Sequence, residues 1–140
     1  MGDLEVLNAI SIESKMHWGY PKEWIEKWVD DLTLTENDFA DQKIFKLEKD
    51  KAIIGWCSIQ ENETSYEVMN LWVKPDFIGS GYGKILLHES LKKVASKKKS
   101  IIVEADPNAE AFYASQGFVT YDKIESYPKD SFLPLMRKEQ

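Results

Sequence analysis

The feature that most constrains the fold is a segment in which a strand, a glycine-rich loop, a helix and a second strand follow one another. Residues 66–73 predict a strand, which Pro75 ends because proline cannot donate to a sheet ladder. Residues 81–97 carry a narrow apolar stripe at helical spacing, and residues 101–103 form a short unbroken apolar run. Because a helix that crosses over joins parallel strands, we expect these two strands to be parallel neighbours.

The rest of the chain predicts helices before this unit and further strands on both sides of it. A helix is expected over residues 3–15, and a second one begins after Pro21. Strands are expected over residues 44–47, 52–59, 118–124 and 132–137, with a hairpin turn at residues 50–51. A short helix is expected between the cap Asp106 and a left-handed Gly117, and the lysines at 97–99 are expected to close the long helix.

Length and charge limit the kinds of protein that this chain can be. The 140 residues suit one domain, over residues 1–140, and 43% apolar with 30% charged residues indicates a globular chain. The net charge of −6, with Arg137 as the sole arginine, argues against a nucleic-acid partner, because phosphate binding depends on clustered Lys and Arg.

Cysteine and histidine usage argues against disulfides and metals. Cys57 is the only cysteine, and the two histidines, His17 and His88, are far apart in the sequence, so we expect no metal site. We also expect no membrane span and no secretory leader, which makes the cytoplasm the predicted location.

The glycine-rich loop contains residues with exposed backbone N–H groups next to a predicted helix N-terminus, an arrangement that attracts phosphate. Its residues are Gly79, Ser80, Gly81, Tyr82, Gly83 and Lys84. It is not a Walker motif, because Ile85 follows Lys84 where Ser or Thr would hold magnesium. It also lacks the last glycine of the dinucleotide pattern. Another pyrophosphate-containing ligand is therefore predicted; glycines that serve only a tight turn are the alternative.

Two segments in this order resemble the GCN5-related N-acetyltransferase (GNAT) family. Residues 71–83, LWVKPDFIGSGYG, are similar to the acetyl-CoA loop of that family, and residues 109–118, AEAFYASQGF, resemble its FYxxxGF segment. The two motifs stand at the right distance, with a helix and a strand between them. The resemblance covers most of the chain.

The resemblance implies an α/β (α+β) fold with a central mixed, mostly antiparallel sheet flanked by helices. The parallel strands 66–73 and 101–105 would splay apart, and the first strand of the family fold is expected to be absent. The resemblance also implies acetyl-CoA as the cofactor. Its pantetheine arm would pair with the backbone of Leu71, Trp72 and Val73, and its pyrophosphate would rest on the N–H groups of residues 79–84.

The resemblance further implies direct transfer of the acetyl group from acetyl-CoA to a primary amine of a small molecule or peptide, without a covalent enzyme intermediate. Tyr113 matches the family tyrosine that acts as general acid, with packing against the cofactor as the alternative. Glu67 matches a catalytic glutamate of some members and would be the base; the alternative is a surface carboxylate. At a strand period of two, residues 67, 69, 71 and 73 are expected to share one face.

The sequence departs from the family pattern at the cofactor site. Ile78 stands where the family usually has Arg or Gln, so the backbone and Lys84 would have to hold the phosphates. Asp106 occupies the frequent Asn position, which leaves Asn108 as a stand-in. Phe112, from the second motif, completes the predicted cofactor contacts.

The first half of the chain is acidic and rich in tryptophan. Residues 1–70 hold 15 acidic and 7 basic side chains, a net of −8, and all five Trp lie within the first 72 residues. We expect this half to supply the wall for a cationic amine, with core packing as the alternative; its candidate residues are His17, Trp18, Tyr20 and Trp24. Two other functions stay open, a non-catalytic CoA-binding module and a purine-nucleotide binder. A homodimer is also compatible with the sequence.

Overall fold

The computed structural model describes residues 4–32, 34, 35, 37–126 and 131–140. The predicted helix start at Asp3 lies outside this part of the chain. The helices are α1 (Leu4–His17), α2 (Lys22–Leu32), the single turn α3 (Asp38–Asp41), α4 (Tyr82–Val94) and α5 (Glu110–Ser115). Two 3-10 turns, Pro75–Phe77 and Pro107–Ala109, precede α4 and α5.

The strands of the described residues form one six-stranded sheet in the spatial order β1, β2, β3, β4, β6, β5. Their bounds are β1 (Lys43–Lys49), β2 (Ala52–Glu61), β3 (Ser65–Val73), β4 (Ser100–Glu104), β5 (Val119–Ser126) and β6 (Ser131–Lys138). The hairpin turn predicted between β1 and β2 is present. Asp50 and Lys51 have φ of 53° and 68°, the left-handed values of a two-residue hairpin turn.

The pairing of β3 with β4 is parallel, whereas every other neighbouring pair in the sheet is antiparallel. The parallel ladder joins Ser65–Val68 to residues 100–103 and stops there, although β3 continues to Val73. The two strands therefore part beyond Val68 and leave a gap in the sheet. The expected mixed, mostly antiparallel α+β fold with splayed parallel strands is confirmed, and no strand precedes α1 within the described residues.

Helices cover the two faces of the sheet and create two apolar cores. Helix α4 packs on β1, β2 and β3, and its buried Leu86 and Leu87 join a core that includes Tyr66, Val68 and Tyr113. Helix α1 packs on the opposite face of β2 and β3, where Leu7, Ile10, Leu34 and Trp56 form the second core. The helices therefore fix the part of β3 that borders the gap from both sides.

A β-bulge interrupts β3 next to the gap. Val68 lies opposite Ile59 on β2, and the neighbouring pair joins Asn70 to Ser58. Met69 is left out of the register between these two pairs, as the extra residue of a bulge is. The side-chain alternation of β3 therefore shifts by one residue at this point.

The bulge makes the expected face of Glu67 wrong. Glu67 lies opposite Gln60, whereas Leu71 lies opposite Cys57, three residues away on β2. Since directly opposite residues share a face and faces alternate along a strand, Glu67 and Leu71 point to opposite sides of the sheet. The expectation that residues 67, 69, 71 and 73 share one face fails because the sequence pattern does not reveal the extra residue.

The prediction that the lysines at 97–99 close the long helix is wrong. Helix α4 ends at Val94, with Ala95 as its C-cap, three residues before the run begins. Lys99 instead donates to Glu61 at 2.7 Å and lowers the pKa of that exposed carboxyl. Lys97 and Lys99 thus connect the segment before β4 to the end of β2.

Gly55 is the point where β2 approaches β3 most closely. A Cβ atom there would lie 2.8 Å from the carbonyl oxygen of Trp72, which is backbone and cannot move aside. We expect Gly55→Ala to lower the free energy of unfolding by about 2 kcal/mol in urea titrations. Gly83→Ala is the control, because its Cβ would meet Phe112 at an ordinary 3.6 Å. Equal losses in the two variants would contradict this steric account.

Candidate active site

The gap between β3 and β4 opens into a cleft of about 660 Å³, a size that suits a small ligand or cofactor. The cleft runs from the glycine-rich loop, past the splayed strands, to the end of α1. Its lining contains most of the predicted cofactor residues, which are Leu71, Trp72, Val73, Ile78, Gly79, Gly81, Gly83, Lys84, Asn108 and Phe112. Ser80 and Tyr82, which belong to the same loop, are not among the lining residues.

The glycine-rich loop has a backbone that only glycine adopts easily. Gly79 and Gly81 both have φ of 88°, a left-handed value that strains any residue with a Cβ. The loop ends at α4, whose first turn carries Lys84 and no acidic side chain. Free N–H groups and the positive end of the helix dipole therefore border the cleft, and both favour a phosphate.

The open edge of β3 can pair with an extended ligand. Beyond Val68 the ladder with β4 has ended, so the β4-facing edge of residues 69–73 has no strand beside it among the described residues. Such an edge accepts an added strand through its main-chain groups. The loop and this edge together fit coenzyme A, which carries a pyrophosphate and an extended arm with amide groups.

Tyr113 lies on α5 with its ring 4% exposed, between the rings of Phe112 and Phe118. The residue lines the cleft, and its hydroxyl makes no hydrogen bond with the described residues. Burial, and secondarily the nearby Cys57, raises the pKa of Tyr113 above its ordinary value. The phenol therefore keeps its proton at neutral pH, as a general acid must.

Two carboxylates lie on the opposite face of the sheet from Tyr113. Glu67 lies beside Ile102 in the parallel ladder, and Glu104 is two residues further along β4, so both side chains share one face. Glu104 lines the cleft, whereas Glu67 does not. Burial, and secondarily the charge of Glu104, raises the pKa of Glu67.

An ion pair closes the end of the cleft beside α1. The Lys15 ammonium donates to Asp106 Oδ2 and lies 4.5 Å from the centre of the Trp28 ring and 4.9 Å from that of Tyr20. Asp106 Oδ1 accepts from the Asn108 N–H at 2.8 Å and the Tyr20 hydroxyl at 3.1 Å. Burial would raise the pKa of Asp106, but the hydrogen bond and charge of Lys15 outweigh it and lower that pKa.

A model of the GNAT acetyltransferase domain matches residues 9–138 of the sequence. This chain belongs to the GNAT acetyltransferase family. The match includes the loop, both motifs and all of the sheet, so the predicted family is confirmed. Acetyl-CoA, the acyl donor of this family, is the cofactor that the cleft fits.

The individual proteins that this GNAT domain resembles are distant relatives in sequence. It is 30% identical over 89 residues to the N-acetyltransferase ycf52 of Gracilaria tenuistipitata var. liui, covering 61% of this chain and 48% of that protein. It is 31% identical over 105 residues to the mycothiol acetyltransferase of Streptomyces coelicolor, covering 64% of this chain and 34% of that protein. The GNAT domain thus spans about half, or less, of the length of these curated relatives.

A solved structure shows the same fold. The PaiA N-acetyltransferase of Thermoplasma acidophilum, in complex with coenzyme A, superposes with a TM-score of 0.78 at 24% identity, covering 99% of this chain and 94% of that one. Within the described part of the GNAT domain, no helix has the length and apolar character of a membrane span. In the same residues, His, Cys, Asp and Glu side chains form no group of three that could hold a metal ion.

The residues predicted to bind the acceptor are only partly gathered at the cleft of the GNAT domain. Trp18 lines it. Tyr20 does not, but its hydroxyl donates to Asp106, which is a lining residue. Trp24 instead packs against Tyr20, with ring centres 6.1 Å apart. His17 is exposed at the end of α1, with its ring centre 5.0 Å from that of Trp18. The Trp-rich segment is thus largely a packed cluster around Lys15.

Sequence reasoning missed Glu104 and the role of Lys15 in this GNAT domain. A signal for Glu104 existed, because an acidic residue at the carboxyl end of a buried parallel strand lies where ligands bind in such sheets. Nothing in the sequence linked Lys15 to Asp106, since the two residues are 91 positions apart and only the tertiary fold brings them together. The sequence also contained no sign that the Tyr82 hydroxyl accepts a 2.8 Å hydrogen bond from Lys49 Nζ.

Glu67 should be mildly destabilising to the GNAT domain at neutral pH. A carboxyl whose pKa is raised by folding favours its protonated form, so its ionisation above that pKa weakens the fold. We expect Glu67→Gln to increase the free energy of unfolding at pH 7 by up to about 0.5 kcal/mol, a small value because the group is half hydrated. The gain should vanish below about pH 4, where the carboxyl is protonated in both states.

The control for this change is Glu63→Gln, because Glu63 is exposed in the turn before β3. Urea titrations at pH 7 and pH 4 compare the two variants with the unmodified chain. A loss of stability in Glu67→Gln at pH 7 would contradict the electrostatic account.

Proposed function

We propose that this chain transfers the acetyl group of acetyl-CoA to a primary amine of a small molecule or peptide by direct attack. The observation that carries the proposal is the cleft itself. It joins the glycine-rich loop and the open edge of β3 to the protonated phenol of Tyr113 and to Glu104, whose carboxylate has no ion pair with the described residues. No Ser–His or Cys–His pair is needed, because an amine is itself the nucleophile.

The donor would be held mainly by backbone groups. The N–H groups of residues 79–84 and Lys84 would hold the pyrophosphate, and residues 71–73 would pair with the pantetheine arm. Ile78 offers no hydrogen bond, so affinity would depend on the loop conformation more than on side chains. Bound acetyl-CoA supplies the acetyl group as a thioester, which an amine displaces with release of the CoA thiol.

Side chains on opposite faces of the sheet would carry out the two proton transfers. Tyr113 keeps its phenolic proton and would donate it from Oη to the departing sulfur. The proton of the amine would pass to the Glu67 and Glu104 pair, either directly or through water. Burial, and secondarily the charge of Glu104, raises the pKa of Glu67, which makes Glu67 a better base than an exposed glutamate.

A binding experiment followed by a turnover experiment tests the proposal. CoA and acetyl-CoA should raise the melting temperature, since a ligand at 100 times its Kd stabilises by about 2.7 kcal/mol. Thiol release from acetyl-CoA should then depend on added amine. Gly81→Val should abolish the thermal shift because of the left-handed φ, whereas the neighbouring Ser80→Ala should retain it.

The outcomes separate the alternative functions. A thermal shift with CoA but no amine-dependent thiol release would favour a CoA-binding module without catalysis. A shift with ATP and none with CoA would favour the purine-nucleotide reading of the loop.

A further inference from the structure

The acceptor end of the cleft has few polar groups left for a substrate. By acceptor end we mean the lining beside α1 and β6, away from the glycine-rich loop, with Ser14, Lys15, Trp18, Met69, Glu104 and Leu133. The inference about its ligand rests on the proposed function, because it concerns the amine that would be acetylated.

The polar side chains around this end are already bonded within the protein. Ser14 Oγ donates to the Val73 carbonyl at 2.7 Å. Asn70 donates to Ser58 Oγ at 3.0 Å and accepts from the Trp72 indole at 3.0 Å. A ligand would have to break these bonds to use the same groups, and an unmatched buried polar group is costly.

Asp106 is also occupied. One of its oxygens is paired with the Lys15 ammonium, and the other accepts from Tyr20 and from the Asn108 N–H. The charges of Lys15 and Asp106 cancel each other within the lining. Neither residue offers a net charge to an incoming amine.

Glu104 is different, because it has no ion pair or hydrogen bond with the described residues. Glu67, on the same face of the sheet, carries a like charge that acts on it. An ammonium group beside Glu104 would relieve that repulsion and gain a charge-assisted hydrogen bond. Among the described residues, the acceptor end therefore has a single position for a cation.

The walls around this position are apolar. Trp18 is 42% exposed and Met69, the bulge residue, is 39% exposed, and both line the cleft. Leu133 lies on the same face of the sheet as Glu104, and Ile124 opposite it on β5 is 43% exposed and extends the surface outward. Such a surface favours carbon chains. A second charge on the ligand would lose its water here without gaining a partner, which costs free energy.

We infer that the acceptor is a primary monoamine with an apolar substituent. Its ammonium group binds at Glu104, and its carbon chain lies along Trp18, Met69 and Leu133. Diamines, polyamines and amino acids carry a second charge that the apolar walls leave without a partner.

Two amines of equal size test this inference. n-Hexylamine and 1,5-diaminopentane each have seven heavy atoms and differ in a terminal methyl or ammonium group. We expect kcat/KM for n-hexylamine to be at least 30 times that for 1,5-diaminopentane, with thiol release from acetyl-CoA as the readout. The kcat/KM for ethylamine should be at least tenfold lower than that for n-hexylamine, because ethylamine is too short to cover the apolar wall.

Two variants locate the effect. Glu104→Gln should raise KM for n-hexylamine about tenfold without changing the Kd for CoA. Trp18→Ala should lower the ratio of n-hexylamine to ethylamine activity about fivefold, whereas Met16→Ala, at an exposed α1 residue outside the lining, should keep it. A melting temperature for each variant shows that it is folded.

The failures are distinguishable. Equal or better activity with 1,5-diaminopentane would overturn the inference and leave the proposed function standing. CoA binding without acetylation of any of the three amines, or of a wider amine panel, would overturn both. An unchanged KM in Glu104→Gln would remove the assigned cation position.

Discussion

Replacing Tyr113 by Phe is expected to lower kcat for amine acetylation about 100-fold, the usual contribution of a positioned general acid. The phenol lies in the cleft and its raised pKa keeps the proton on Oη. Stability should hardly change, because the hydroxyl makes no hydrogen bond with the described residues and its loss leaves no partner unsatisfied. Single-turnover rates with saturating acetyl-CoA give the chemical step directly.

Tyr66→Phe is the matched control for this change. Tyr66 is a fully buried tyrosine of the same core, and its hydroxyl accepts from the Lys97 N–H at 3.2 Å. Its replacement should cost about 1 kcal/mol of stability and leave kcat unchanged. A similar fall of kcat in both variants would mean that core packing, and not the Tyr113 proton, sets the rate.

Lys15→Met is expected to lower the free energy of unfolding by about 3 kcal/mol, because it leaves the Asp106 charge without its partner. The two side chains are only 10% and 13% exposed, so water compensates little of the loss. The exposed Lys22→Met, at the start of α2, should change stability by less than about 0.5 kcal/mol. Urea titrations at pH 7 compare the two variants.

The pH dependence identifies the charge as the cause. The pKa of Asp106 is lowered by folding, so the stability from its ionised form is present above about pH 4 and is lost as pH falls through the lowered value. The difference between Lys15→Met and the unmodified chain should therefore narrow in acid. The double variant Lys15→Met/Asp106→Asn should regain part of the loss; a loss that persists equally at every pH would point to packing instead.

Much of the fold could be predicted because its signals are local. The pattern of a strand, glycine loop, helix and strand required a crossover, and the parallel pairing of β3 with β4 follows from it. The hairpin at Asp50 and Lys51 and the left-handed Gly117 were likewise marked by short-range turn chemistry. The predicted end of α4 lies too far along the chain. Ala95, Ser96 and the lysines are compatible with a helix, and tertiary contacts with Tyr66 and Glu61 hold the lysines outside it.

The site residues that belong to a continuous sequence motif could be predicted. The site residues that are brought together only by the tertiary fold could not. The loop and Tyr113 came from such motifs, and both line the cleft. The face of Glu67 was wrong because a bulge has no compositional mark in this strand. The Lys15 and Asp106 pair joins α1 to the segment after β4, a contact that no spacing in the sequence indicates.

The unpaired Met69 has a kinetic consequence. Because the alternation of β3 shifts there, the carboxylates face α1 while Leu71 and Tyr113 face α4, so an amine and an acyl donor would approach the gap from different sides. Initial rates measured against acetyl-CoA at several fixed amine concentrations should then give intersecting reciprocal plots, and free amine should not compete with acetyl-CoA for the cleft.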